Sequence, residues 1–329
     1  MKAMLCKEYG PPESLVLEDL PSEPVSSGQV KIRVRAAGVN FPDVLIIKGE
    51  YQFKPPLPFS PGAEVAGDVI EVGPDVNGFA PGDRVIGMTG WNGFREEVVV
   101  GAERCLKMPA KMDYDAGAAL SMTYGTSYHA LVQRGRLAAG ETLLVLGATG
   151  GVGTAAVEIG KLLGAKVIAA GGSDSKLETV RQKYGVDHVV NYRTGAPLKD
   201  QVKTITGGSG ADVIYDAVGG DLFEQSLRCI AWDGRLLVVG FASGTLPQAK
   251  ANLILLKGCS VVGVFWGAFT AREPEINKAN FAQIFRWYEE GKISPSISHR
   301  FPLAKAADAL NALINREVVG KVILTVDGR

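Results

Sequence analysis

The sequence predicts an α/β protein built from a turn-rich β domain and a doubly wound parallel sheet. Three observations lead there. The first is Leu143-Leu-Val-Leu-Gly-Ala-Thr-Gly-Gly-Val-Gly153, which has the pattern of a buried strand, a tight glycine turn and the start of a helix running from about Val152 to Leu163. The second is a change of rhythm at Glu141, after which apolar strands alternate with stretches of helical length. The third is the different character of the first 120 or so residues, where short alternating runs are punctuated by glycine and proline.

The glycine turn places backbone N–H groups and a helix N-terminus where a pyrophosphate can meet them. Ala148 stands where G-x-G-x-x-G would open with glycine, so Ala148, Gly150 and Gly153 give A-x-G-x-x-G, a weak motif by itself. Its context strengthens it. Strands are expected at about Leu143–Gly147, Lys166–Ala170, His188–Asn191, Asp212–Asp216, Arg235–Gly240 and Ser260–Phe265, which fits a complete dinucleotide fold.

In the first region, Gln29-Val-Lys-Ile-Arg-Val-Arg-Ala36 alternates as a half-buried strand should, and Asp68–Val72, Asp83–Gly87 and Glu96–Val100 follow suit. Pro58-Phe-Ser-Pro-Gly62 and Ala80-Pro-Gly-Asp83 supply the turns of a small barrel-like domain. After Phe265 we expect a helix at about Pro274–Glu290, a strand near Ile297, a helix at Leu303–Asn315 and a last strand at Lys321–Val326. This tail holds no further nucleotide half and is expected to return to the first domain. The division is therefore residues 1–121 with 267–329, and residues 122–266 as an insertion.

Composition narrows the function classes. Basic and acidic residues are equal in number, 35 each, so no global field favours nucleic acid or anionic membrane. The N-terminus lacks the apolar core of a signal peptide, and no apolar run approaches a membrane span. The expectation is a soluble cytoplasmic protein. Cys6, Cys105, Cys229 and Cys259 are dispersed, as are His129, His188 and His299, which argues against a disulfide framework and against a metal site.

Taken together, Ala37-Gly-Val-Asn-Phe-Pro-Asp43, Pro61-Gly-Ala-Glu-Val-Ala-Gly67, Pro81-Gly-Asp-Arg-Val85, Thr123-Tyr-Gly-Thr-Ser-Tyr128, the glycine turn and Gly320-Lys321 resemble the medium-chain dehydrogenase/reductase superfamily over essentially the whole chain. The branch it most resembles is the zinc-independent, zeta-crystallin-like quinone oxidoreductases. Zinc-dependent relatives place a cysteine about where Asn40 stands and a histidine where Ala63 stands, and often carry a cysteine-rich lobe where Met88-Thr-Gly-Trp-Asn-Gly93 has none. The resemblance thus implies a GroES-like β-barrel catalytic domain, a Rossmann NADP-binding domain, and hydride transfer without a metal.

Cofactor choice turns on the tip of the second strand, where a carboxylate would hold a free ribose 2′-hydroxyl. Gly171 and Gly172 follow Ala170 there, and Ser173 and Lys176 offer a hydroxyl and a cation. A plain helix start with Ser173 or Asp174 as N-cap is the alternative, and Asp174 could itself be turned toward the ribose. The resemblance implies NADPH, with Lys176 and Tyr192 at the adenosine phosphate. It also implies Gly150, Gly151, Val152 and Gly172 as cofactor contacts, along with Asn40, Thr126, Val218, Phe241, Ser243, Phe265, Trp266 and Lys321. Of these, Phe265-Trp266 fits core or dimer packing better than a cofactor wall.

Without a Lewis acid, hydrogen-bond donors must stabilise the acceptor's growing charge, which suits quinones and enones. Asn40 is the expected donor, with Tyr51 or Tyr124 as phenolic alternatives and Asp43 orienting the segment. Each also fits a plainer role: Asn40 as a turn residue, Asp43 as a helix N-cap, Tyr51 as a loop aromatic.

A reductase of enoyl- or acryloyl-CoA would need a basic landing site, for which Lys48, Lys54 and Arg95 would have to converge. A non-enzymatic NADPH-binding role, structural or RNA-binding, is the alternative of another class. The strand Cys259–Phe265 could end the sheet at an open edge, so a homodimer is expected.

Overall fold

The computed structural model describes residues 1–326 and divides the chain into two compact units, Met1–Met122 with Ser294 onward, and Thr123–Ile293. In the first unit β1 (Lys2–Leu5) and β2 (Val16–Asp19) form an antiparallel pair. The main sheet begins with β3 (Gln29–Val39), followed by α1 (Phe41–Ile47), β4 (Glu64–Val72), β5 (Arg84–Met88), β6 (Glu97–Gly101) and β7 (Cys105–Lys107). β3 runs three residues past the expected Ala36, and its last four residues are all buried. The reason is close backbone contact. A Cβ on Gly38 would lie 2.2 Å from the carbonyl oxygen of Ala118 on α2 (Tyr114–Tyr128), so this stretch has no polar face to show.

The second unit holds the alternation expected from Glu141 onward. In chain order it contains β8 (Thr142–Leu146), α3 (Gly151–Leu162), β9 (Lys166–Gly171), α4 (Asp174–Tyr184), β10 (His188–Asn191) and α5 (Leu198–Ile205). Then come β11 (Ala211–Asp216), α6 (Asp221–Cys229), β12 (Ile230–Val238), α7 (Ala251–Lys257) and β13 (Ser260–Gly263). All six strands are parallel, in the order β10-β9-β8-β11-β12-β13. In strand sequence that is 3-2-1-4-5-6, the doubly wound order whose crevice opens between the first and fourth strands. Leu143–Leu146 are wholly buried, as a strand covered on both faces must be.

Two boundaries differ from expectation. β12 starts at Ile230 and carries an irregular register around Asp233, whose φ is +60°. β13 stops at Gly263 because the chain turns into α8 (Trp266–Arg272) and then α9 (Pro274–Glu289).

Contacts keep those two helices in the second unit, whereas the sequence assigned residues 267–293 to the first. The cause is an aromatic cluster. His129 stacks on Phe269 at 3.9 Å, Tyr128 packs at 5.6 Å from Trp287, and Trp266 lies edge-on to Phe281.

From Ser294 the tail does rejoin the first unit, as β14 (Ile297–Pro302), α10 (Ala306–Ile314) and β15 (Lys321–Thr325). The expected helix start at Leu303 is a short 3-10 turn that leads into α10. β15 inserts between β14 and β3, giving the order β14-β15-β3-β4-β5-β7, with β6 also paired to β3. All four cysteines are buried thiols. Among the described residues no helix is long and apolar enough to cross a membrane.

Candidate active site

The glycine turn works one residue out of phase with its motif. The sharp bend is made by Gly147, at φ +69°, and closed by the Gly150 N–H donating to the Gly147 carbonyl at 3.0 Å. Ala148 therefore needs no glycine conformation, and its methyl is buried. Gly153 is sterically obligatory, since a Cβ there would sit 2.1 Å from the Gly147 oxygen. Gly150 caps α3, and its added Cβ would touch nothing closer than 3.5 Å, so Gly150, Gly151 and Val152 leave the helix start approachable.

Beside this turn, Ser127 Oγ donates to the Val152 carbonyl at 2.9 Å and lies 3.0 Å from the Tyr215 hydroxyl. These contacts fasten α2 to the start of α3 and bring half-buried Thr126 next to the turn.

At the tip of β9, Ser173 is the N-cap residue of α4 and Lys176 sits in its first turn, half-buried. Tyr192 follows β10, and its N–H donates to the Gly171 carbonyl at 3.1 Å. Asp174 faces β10, where its Oδ1 accepts from Asn191 Nδ2 at 2.8 Å. Arg193 was missed by the sequence reading. Its stem lies against Gly172, where an added Cβ would be 2.8 Å from Arg193 Cδ and Nε. The signal was available, because β10 pairs with β9 and residues just past its end must flank the β9 tip.

The turns after β11 and β12 are sewn together. Buried Asp216 accepts the N–H groups of Val218 and Gly219 at 2.8 Å each, and burial raises its carboxyl above the ordinary range. Ser243 N–H donates to the Val218 carbonyl at 2.9 Å, and a Cβ on Gly219 would be 3.1 Å from the Phe241 ring. Val218, Phe241 and Ser243 are thus gathered at the strand ends, where open α/β sheets hold ligands. Phe265 is half exposed at the start of α8. Trp266 is a packing residue: its indole N–H donates to Asn277 Oδ1 at 3.2 Å, and Gly125 leaves room for its ring.

In the first unit the sequence picked out Asn40, Asp43, Tyr51 and Lys321, and the structure adds Glu64. Glu64 is fully buried, and its two oxygens accept from Asn40 Nδ2 at 2.9 Å, Lys321 Nζ at 2.7 Å, Ser121 Oγ at 2.5 Å and the Met122 N–H at 2.8 Å. Lys321 is 4% exposed and also donates to Asn40 Oδ1 at 2.7 Å and the Val39 carbonyl at 3.2 Å. The three protons of this ammonium are thus met by three acceptors within the cluster, which makes Lys321 an internal tie between β15, Asn40 and Glu64. Asn40's amide is fixed at both ends by the same cluster, so its expected role as a free donor gives way to one held in place.

Asp43 is the third helical residue of α1 and so reaches back, where the plainer expectation was an N-cap. It accepts the Asn40 N–H at 2.8 Å and the Gly62 N–H at 3.1 Å. Burial pushes its carboxyl up to about 7 against the lowering pull of those N–H groups and of Lys321. Tyr51 is half-buried, and burial with the neighbouring Asp43 charge raises its phenol, keeping it protonated. Tyr124 is deeply buried in the second unit and donates to Glu158.

Of the three basic residues that a CoA phosphate site would need to converge, one is tied up inside the first unit. Arg95 is 5% exposed, with its guanidinium committed to Glu23 and Asn92, while Lys48 and Lys54 are exposed. Among the described residues no group of three or more His, Cys, Asp and Glu is gathered to hold a metal ion.

Fold and site define a nucleotide-binding oxidoreductase architecture. Family models for the alcohol dehydrogenase GroES-like domain and the zinc-binding dehydrogenase match residues 26–110 and 151–283. A quinone oxidoreductase-like protein 2 homolog from Nematostella vectensis is 40% identical over 98% of this chain and 88% of its own. A probable oxidoreductase from Mycobacterium abscessus superposes with a TM-score of 0.90 at 37% identity, over 99% of both chains. Quinone oxidoreductase from Escherichia coli, solved with NADPH, gives a TM-score of 0.92 at 28% identity over 99% of this chain and 100% of that one. The chain belongs to the quinone oxidoreductase branch of the medium-chain dehydrogenase/reductase superfamily.

Proposed function

We propose that the chain is an NADPH-dependent oxidoreductase that reduces a quinone or an α,β-unsaturated carbonyl by hydride transfer. The observation that carries this reading is the pairing of an approachable glycine turn after β8 with a hydroxyl- and cation-bearing tip after β9. The NADPH bound in the Escherichia coli relative supports it.

The N–H groups at Gly150–Val152 would hold the pyrophosphate. Ser173, Lys176, Tyr192 and Arg193 would hold the 2′-phosphate, with Gly172 giving the approach. Thr126, Val218, Phe241, Ser243 and Phe265 would line the nicotinamide end. When bound, NADPH supplies the hydride.

The chain's own work is to bind, orient and donate hydrogen bonds. We assign Tyr51 as donor to the acceptor's oxygen, because its raised phenol stays protonated and Asn40's amide is committed to Lys321 and Glu64. Asn40, Asp43, Glu64 and Lys321 fix the segment. The final proton is assigned to water, since Asp43 spends both oxygens on backbone N–H groups.

The test is NADPH oxidation by metal-stripped protein with a small quinone, a simple enone and an unsaturated acyl-CoA in parallel. Turnover with quinone or enone is expected. Preference for the thioester, or dependence on added metal, would overturn the assignment.

We also propose a homodimer. β13 is the edge strand of its sheet and half exposed, and near its start Trp232 is 76% exposed with Leu255 and Leu256 exposed on α7. A second copy pairing along β13 would cover this edge. A monomeric mass by light scattering at micromolar concentration would refute it.

A further inference from the structure

A carboxylate near the tip of the second strand ordinarily favours NADH, because it holds a ribose hydroxyl and repels a 2′-phosphate. Asp174 has that chemistry, at the first position of α4 and two residues from Gly172. Its Oδ1 is held at 2.8 Å by Asn191 Nδ2 at the end of β10, the strand on the far side of β9 from the glycine turn. Asn191 has a second contact. Its Oδ1 accepts the Arg193 N–H at 2.9 Å, closing a turn that lays the Arg193 stem against Gly172. One amide thus draws an anion to the β10 side and seats a cation beside the tip, using its donor and its acceptor at once.

We propose that Asn191 is the specificity-determining latch of the cofactor site, selecting the phosphorylated dinucleotide through Asp174 and Arg193 without being required to touch it. The proposal rests on the NADPH reading above. The end of β10 is held independently of the amide, by Gln201 Nε2 donating to the Asn191 carbonyl at 2.9 Å and by the Tyr192 N–H. Removing the amide therefore leaves the strand end in place and frees the Asp174 carboxylate and the Arg193 N–H together.

The experiment titrates NADPH and NADH separately into wild-type protein, Asn191→Ala, and Asn191→Ala/Asp174→Ala, following nicotinamide fluorescence without any acceptor. Asn191→Ala should weaken NADPH by about 10-fold, the size of one surface charge repulsion, and leave NADH roughly unchanged. The double variant should recover most of the NADPH affinity. Equal losses for both cofactors in Asn191→Ala, or a double variant no better than the single, would overturn the latch. Wild-type protein that binds both cofactors equally would overturn the NADPH reading and the latch together. A wild-type preference for NADPH that Asn191→Ala leaves intact would overturn the latch alone.

Discussion

Two clusters of charge in this molecule are built on opposite principles. Glu64, Lys321 and Asn40 lie buried in the first unit with their hydrogen bonds closed among themselves, the Ser121 hydroxyl and the backbone. Ser173, Asp174, Lys176 and Arg193, at the β9 tip of the second unit, are exposed or half-exposed. A buried pair is strongly coupled to stability, because losing one partner strands the other in a medium that solvates it poorly. Exposed charges contribute little to folding and act on what arrives from solution. On the function proposed above, the first cluster fixes positions and the second discriminates ligands.

The sharpest way to break this contrast is Glu64→Gln, which leaves the Lys321 ammonium buried without its carboxylate. A loss of about 3–5 kcal/mol in urea unfolding is expected, and Glu64→Gln/Lys321→Met should regain most of it. A single-variant loss below about 1 kcal/mol would place this cluster with the exposed one.

Lys176→Ala should do the reverse. NADPH affinity should fall by about 1.5–3 kcal/mol, the value of a hydrogen bond to a charged group, with NADH binding and unfolding midpoint unchanged. Equal losses for both cofactors would make Lys176 structural.

Asp43 tests the buried side by pH. Its carboxyl titrates near 7 in the folded chain and in the ordinary carboxylate range once unfolded, so the folded state keeps a proton in between. The stability this proton brings is intact at low pH and lost as pH rises toward 7 and beyond. Between pH 5 and 8 the unfolding free energy of wild type relative to Asp43→Asn should fall by roughly 1–3 kcal/mol. The subtraction cancels His129, whose imidazole is lowered by burial, and Asp216. A flat difference would mean the carboxylate's two N–H partners outweigh its burial.

Ala148→Gly should have the smallest effect. Because Gly147 already makes the bend, restoring the motif's first glycine should cost about 0.5–1 kcal/mol of stability through backbone entropy and leave NADPH affinity unaltered. Tighter binding would show that the motif's phase matters after all.

The same contrast explains what could be read in advance. Strand positions in the second unit were legible because burial on both faces writes itself as apolar runs, and Leu143–Leu146 are wholly buried. The β9 tip was largely legible because Ser173 and Lys176 lie within five residues of their strand, which ends at Gly171. Arg193 and the Asn191–Asp174 contact were not, since they need the register of β10 against β9. Glu64 was hidden more deeply: its partners come from three separate stretches of chain, and no local pattern announces such a meeting. The fate of residues 267–293 was also illegible, because an aromatic cluster and not a periodicity decides it.

The placement of β15 has a consequence in time. Lys321 meets Val39 across 282 positions of sequence, with the second unit's residues lying between them in the chain. During synthesis the parallel sheet can form while the first sheet still has an open seam beside β3. Until β15 leaves the ribosome, Glu64 lacks the Lys321 ammonium, and Asn40 Oδ1 lacks the donor that fixes that end of its amide. β15 is thus a late check on the fold: a molecule interrupted before it would carry a finished nucleotide fold and an unfinished partner.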